Sequence, residues 1–345
     1  MKAMILNQLG RIEDNPRPLD LVTVPDPLPQ PGEVRLRIQA CGVCHTELDE
    51  IEGRTPPPEL PMIPGHQVVG RIDRLGSGVN QRQIGDRVGV AWIFSACGQC
   101  TFCRQGNENL CPQFKATGRD AAGGYAQYMC VPADFTVPLP DRFSDLAAAP
   151  LLCAGAIGYR SLRLTGLADG QTLGLMGFGA SAHLVLQMVG HTHPQSRVYV
   201  FARNPEERRF ALDLGAVWAG DIADRPPEPL AAVVDTTPAW KPVVAALAGL
   251  APGGRLVINA IRKESVDQDN LLQLEYPRHL WMEKEIKSVA NVARRDVSEF
   301  ITLAADLQLA PEVTAFPLKE ANQALYELRR GQIRGAKVLQ IEEKS

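Results

Sequence analysis

The stretch Leu173-Gly174-Leu175-Met176-Gly177-Phe178-Gly179-Ala180-Ser181-Ala182 decides the fold. A short apolar run ends in the spacing GxGxxA at Gly177, Gly179 and Ala182, and a helical pattern follows over 180–190. Strand, glycine turn and helix in that order is the context in which such a motif holds a dinucleotide. Gly177 permits the tight turn, Gly179 lets the backbone approach the pyrophosphate, and Ala182 keeps the helix near the sheet. Ala180 opens the helix, whose N-terminal amides favour the negative charge of phosphates. Outside that context the same residues would read as a bare glycine turn.

Working outward, apolar strand candidates at 172–176, 197–201, 231–234 and 255–260 alternate with helical patterns at 180–190 and 205–214. Such alternation predicts a parallel sheet wrapped by helices. The first 150 residues differ, with short apolar runs at 34–38 and 87–90 set between Pro/Gly punctuation such as Pro29-Gln30-Pro31-Gly32. The end of the chain returns to mixed structure, a helical pattern at 318–330 and a closing strand at 336–341. The expected organisation is α/β, with a Rossmann domain over 151–289 inserted into a β-rich domain formed by 1–150 and 290–345. A length of 345 residues fits two domains better than one.

The residue after the second strand reports on the dinucleotide. The chain reads Val200-Phe201-Ala202-Arg203-Asn204, with Ala202 where NAD enzymes place Asp or Glu against the adenosine ribose. Without that carboxylate a 2′-phosphate meets no repulsion, and Arg203 can pair with it bidentately. NADP(H) is therefore favoured and NAD(H) remains possible. The alternative is a solvated arginine, and a strand end shifted by one residue would make Asn204 the contact.

Formal net charge is −3, with 45% hydrophobic and 22% charged residues. This leaves no basic footprint for nucleic acid and no apolar span or leader-like start, so a cytoplasmic location is expected. In a reducing compartment clustered cysteines read as metal ligands rather than disulfides. Four of the eight cysteines lie in Cys97-Gly98-Gln99-Cys100-Thr101-Phe102-Cys103 and, seven residues on, Cys111. Four thiolates enclose a zinc ion with no open position, a structural role. An iron–sulfur cluster is a lesser alternative, because the loop is polar and suits a small ion. Three dispersed residues, Cys44, His66 and Cys153, could form a second site whose fourth position stays open for water or an alcohol. Spacing alone does not distinguish that triad from a structural histidine and a core cysteine.

The string Cys41-Gly42-Val43-Cys44-His45-Thr46-Glu47, the pair Gly65-His66, the four-cysteine loop and the glycine turn, in this order, resemble the zinc-dependent alcohol dehydrogenases of the medium-chain dehydrogenase/reductase superfamily. The likeness covers nearly the whole chain and looks closest to bacterial and yeast-type members, near the cinnamyl alcohol dehydrogenase branches. It implies that the β-rich domain is GroES-like and catalytic, and that each subunit holds two zinc ions. Cys44, His66 and Cys153 would hold the catalytic zinc, with Cys97, Cys100, Cys103 and Cys111 holding the structural one. Glu47 matches the acidic residue that orients the zinc histidine. Thr46 matches the hydroxyl that relays the substrate proton, and His45 a pyrophosphate contact. Trp92 resembles the aromatic lining the substrate pocket, and Thr55 stands where relatives carry a second bulky aromatic.

Besides Thr55, the chain departs from the family at three positions. Gln67 replaces the Glu that follows the zinc histidine, and Asp49 replaces the histidine at the end of the proton relay. Ala336 replaces an arginine on the pyrophosphate, for which Arg334 or Lys337 could substitute. The implied reaction is reversible hydride transfer between an alcohol and NAD(P), with a small-molecule substrate and a homo-oligomeric assembly, dimer or tetramer. Two alternatives are an NADPH-dependent aldehyde reductase and, in another class, a non-catalytic nucleotide-binding protein.

Overall fold

The structure is a computed structural model that describes residues 1–309, 311–331 and 335–341. The chain forms two compact units, residues 1–153 with 292–345, and residues 154–291.

The first unit is built on the long strand Glu33–Val43. Its apolar residues Val34, Leu36 and Ile38 alternate with Arg35 and Arg37, as a strand with one core face requires. It pairs antiparallel with Val68–Leu75 on one edge and with Tyr128–Pro132 and Ala336–Gln340 on the other. Arg87–Val90 and Val137–Pro138 extend the sheet beyond Val68–Leu75, and Val313–Pro317 joins Ala336–Gln340 in parallel. Leu36, Ile38, Val68, Ile72, Val90 and Tyr125 form the heart of the core, closed by Leu325 and Leu328 of the helix Ala321–Arg329. The pattern at 318–330 thus resolves into a short turn, Leu318–Glu320, and that helix.

The second unit carries a parallel sheet. Its strands run in the spatial order Trp218–Gly220, Arg197–Phe201, Thr172–Met176, Leu230–Asp235, Leu250–Ile258 and Glu285–Ser288. Numbered along this unit the order is 3-2-1-4-5-6, that of the doubly wound Rossmann fold. Thr172–Met176 is central and buried at every position, which explains its unbroken apolar run. Strand order reverses between Thr172–Met176 and Leu230–Asp235, and in such sheets ligands bind at the carboxyl ends flanking that reversal. The glycine turn 177–179 leaves Thr172–Met176 at this point. Strand 255–260 of the sequence reading begins earlier in the structure, at Leu250.

Candidate active site

Cys44 follows the strand Glu33–Val43 and caps the helix His45–Ile51. Its sulfur accepts the Thr46 amide at 3.4 Å. Glu47, three residues on, turns back and accepts the Cys44 amide on Oε2 at 2.8 Å, a capping box closed by a thiol instead of a hydroxyl. The other oxygen of the same carboxylate, Oε1, lies 2.5 Å from His66 Nδ1. That contact turns the opposite ring nitrogen, Nε2, to Cys44 Sγ at 3.6 Å. Gly65 has φ +101°, and a side chain there would run into the Tyr125 ring and come within 2.9 Å of Cys41 Sγ. A glycine is therefore what lets the chain bring His66 in. Cys153 lies in a π-helical turn, Leu151–Gly155, which follows Pro150.

The ligand atoms of Cys44, His66 and Cys153 all lie within 4.8 Å of one another. Zinc bonds of ~2.3 Å to sulfur and ~2.0 Å to nitrogen give a tetrahedral edge of about 3.6 Å, the separation seen between Cys44 Sγ and His66 Nε2. Three soft or imidazole donors with one carboxylate behind the ring fit zinc. The electrostatics agree. Hydrogen bonding to Cys153, burial and the Glu47 charge push the Cys44 thiol up. Burial alone would lower His66, but Glu47 and Cys44 raise it well above the ordinary range. Positive charge is thus strongly favoured among these side chains.

The loop 97–111 shows the same fit. The thiols of Cys97, Cys100, Cys103 and Cys111 cluster within 4.8 Å, and Cys97 Sγ lies 3.8 Å from Cys103 Sγ. That is about the edge of a tetrahedron of four ~2.3 Å zinc–sulfur bonds. Backbone amides turn onto the sulfurs, Cys100 onto Cys97 at 3.3 Å, and Cys97 and Gln113 onto Cys111 at 3.4 and 3.3 Å. The Gln99 and Cys100 amides hold the Cys97 thiol down to about 6, and burial pushes Cys103 up to about 12. Two arginines that the sequence reading missed brace this loop. Arg294 pairs with Glu108 at 2.9 Å and Arg295 donates to Asn107 at 3.3 Å. They lie some 190 residues from the loop, and no local motif announces them.

Other site residues are placed as follows. Thr46 is half-buried and His45 exposed on the first turn of the helix. Asp49 is buried, its carboxylate 2.5 Å from the guanidinium of Arg54. It is an ion-paired group rather than an open one. Gln67 is buried flush against Gly42, whose amide donates to the Gln67 carbonyl at 3.0 Å. The Trp92 ring packs against Phe114, tilted by 37° at 5.1 Å, and lies under the Arg119 guanidinium at 5.4 Å. Thr55 sits just past the same helix, its amide on the Asp49 carbonyl. Glu50, not singled out in the sequence, is buried on that helix; burial and the Glu47 charge push it to about 8.

In the second unit Gly177 has φ +80° and donates to the Phe201 carbonyl at 2.8 Å. A Cβ there would lie 2.9 Å from Thr237 Cγ2. Gly179 starts the helix Ala180–Thr192 with no side-chain cap, and a Cβ on it would meet no atom within 4 Å. The first helix amides are left free of side-chain acceptors, as a phosphate cradle needs. Ala182 is fully buried. Ala202 is buried and its carbonyl accepts Arg208 Nη1 at 2.8 Å, whereas Arg203 is exposed. Asn204 caps the helix Pro205–Asp213, its Oδ1 accepting the Glu206 amide. In the first unit, Lys337 is buried on Glu327 at 2.5 Å and over the Phe316 ring, so it does not stand in for the missing arginine. Arg334 lies outside the described residues.

Comparison with known proteins agrees with this geometry. Residues 30–141 match the alcohol dehydrogenase GroES-like domain. A probable alcohol dehydrogenase, AdhA, of Mycobacterium tuberculosis is 44% identical over 94% of this chain and 93% of its own length. An alcohol dehydrogenase of Geobacillus stearothermophilus is 31% identical over 99% of this chain and all of its own. Among solved structures, a cobalt- and zinc-bound thermostable alcohol dehydrogenase from Pyrobaculum aerophilum superposes with a TM-score of 0.84 at 22% identity, covering 99% of each chain. A GroES-like unit and a Rossmann unit define a medium-chain dehydrogenase/reductase. The chain belongs to its alcohol dehydrogenase family, and is an oxidoreductase acting on alcohols.

Proposed function

We propose that the chain interconverts a primary or secondary alcohol and its aldehyde or ketone, with NADP(H) preferred over NAD(H) and two zinc ions per subunit. The observation that carries this reading is the Glu47 carboxylate, which orients His66 and ties down the Cys44 amide in one stroke. In this reading residues 1–150 and 290–345 are the catalytic domain and 151–289 bind the dinucleotide. Cys44, His66 and Cys153 hold the catalytic zinc; Cys97, Cys100, Cys103 and Cys111 hold the structural one. When bound, zinc supplies the Lewis acidity that makes an alcohol hydroxyl acidic near neutral pH, and the nicotinamide supplies the hydride acceptor. Thr46 Oγ1 accepts the substrate proton and passes it along the helix toward Asp49. Glu47 keeps His66 in the tautomer that presents Nε2 to the metal. His45, Gly177, Gly179, Ala180 and Ala182 face the pyrophosphate, and Arg203, with Asn204 beside it, the adenosine end. Trp92 and Thr55 line the substrate side.

The edge strand Glu285–Ser288 is exposed at all four positions, with Tyr276, Trp281, Met282 and Ile286 exposed on or near it. An open edge with apolar flanks is a site for pairing with a second copy, which supports a homo-oligomer. No helix among the described residues is long and apolar enough to cross a membrane, and the thiol-rich loops favour a cytoplasmic setting. The test is a zinc count on purified protein together with alcohol oxidation followed with NADP and with NAD. Full turnover in protein without detectable metal would overturn the reading.

A further inference from the structure

We propose that Glu50 is a specificity residue, which with the indole N–H of Trp92 forms a subsite for a second hydroxyl on the alcohol substrate. The inference rests on the reading of Trp92 as a lining of the substrate site.

Glu50 is 1% exposed, and neither of its carboxyl oxygens has a hydrogen-bond partner among the described residues. Trp92 Nε1 is a buried donor in the same condition. The indole N–H lies close enough to the carboxyl to favour its charged form, yet no hydrogen bond of normal geometry joins them. A third orphan, Thr55 Oγ1, sits just past the same end of the helix His45–Ile51, where the Thr55 N–H donates to the Asp49 carbonyl. Buried polar atoms without partners are rare because each costs about 1–3 kcal/mol. Two residues of this kind at one helix end, Glu50 and Thr55, together with Trp92 point to a ligand that satisfies them. Helical spacing sets the position: Glu50 is four residues from Thr46 and three from Glu47, on the face that carries both.

The surroundings select the ligand. An anionic group would meet Glu47 and Glu50. A cationic group would meet Arg119, whose guanidinium covers the Trp92 ring and acts on Glu50. What remains is neutral and both donates and accepts, and a hydroxyl does so with the fewest atoms. The substrate class is therefore a diol or polyol, one hydroxyl at the reacting carbon and another at Glu50.

The experiment compares kcat/KM of the zinc-loaded enzyme for 1-butanol with that for 1,2-, 1,3- and 1,4-butanediol. We expect one diol to exceed 1-butanol by about tenfold or more, the value of one added hydrogen bond. In Glu50→Leu that ratio should fall to about one, and Glu50→Gln should keep part of it. The ratio is read within each variant, so a general loss of turnover cancels. If Glu50→Leu does not fold, Trp92→Phe, which removes the N–H, should lower the same ratio. Wild-type enzyme that oxidises 1-butanol as well as every diol overturns the proposal and leaves the alcohol dehydrogenase reading intact; the orphan atoms then hold buried water only. A diol preference that survives Glu50→Leu overturns it as well. Failure to oxidise any alcohol, with or without a second hydroxyl, sinks both readings.

Discussion

Glu47 Oε1 lies 2.5 Å from His66 Nδ1, while Oε2 of the same carboxylate accepts the Cys44 amide at 2.8 Å. One side chain thus sets the direction of two of the three candidate zinc donors. Glu47→Gln leaves one acceptor oxygen for two donors, the Cys44 amide and the Nδ1–H of His66, and loses the charge that raises the basicity of His66. Zinc retention, measured by atomic emission after dialysis against graded chelator, should weaken about ten- to hundredfold. Unchanged retention would mean that Glu47 serves helix capping alone.

The two metal centres should respond differently to loss of one thiol. Purified protein should hold about two zinc ions per subunit. Cys44→Ser should lose one ion and most activity with little change in thermal unfolding, because its neighbours still pack in the core. Cys100→Ser should lose the other ion and lower Tm, because the loop 97–111 has little apolar packing of its own. A metal-free protein as stable as the loaded one would contradict the structural assignment.

Thr46 and Asp49 can be separated kinetically. Thr46→Ala should lower kcat strongly and Thr46→Ser only mildly, since the hydroxyl is the functional part. Asp49→Ala should change the pH dependence of kcat if the proton leaves through Asp49. The ion pair with Arg54 adds a control: Arg54→Ala disturbs the same pair without removing the carboxylate. A pH profile indifferent to Asp49→Ala takes Asp49 out of the relay and leaves it a structural partner of Arg54.

Dinucleotide preference turns on Arg203. Arg203→Ala should weaken NADPH binding by about 1.5–3 kcal/mol, roughly ten- to hundredfold, and leave NADH nearly unchanged. Ala202→Asp should shift preference toward NADH by adding the carboxylate that holds ribose hydroxyls. Dissociation constants for both nucleotides decide the matter. Wild-type protein that binds NADH more tightly, with Arg203→Ala altering neither, would refute the preference.

Gly65→Ala tests how His66 is delivered. With φ +101° and the Tyr125 ring and Cys41 sulfur in the way, the added methyl must move backbone or core. We expect a drop in Tm and loss of one zinc ion together. Wild-type Tm and metal content in this variant would show that the turn tolerates a side chain.

Much of this was legible locally. The strand–turn–helix at 172–192, the cysteine spacing of 97–111 and the Cys44-to-Glu47 interval each depend on residues within a few turns of one another. Backbone period and side-chain chemistry therefore announce them directly. Cys153 is a different case: as a single cysteine in an apolar run it had no local meaning, and only packing brings its sulfur to Cys44. Asp49, read as the end of the proton relay, is paired with Arg54; Lys337, read as a substitute for the arginine that Ala336 replaces, is buried on Glu327. Arg294 and Glu108 meet across 186 positions. Glu50 belongs to no motif in the sequence, yet it is almost wholly buried. A sequence states which groups a segment carries and which face of an element they share. Whether that face meets water, a counter-charge or a core is decided by what folds against it, and that comes from distant parts of the chain.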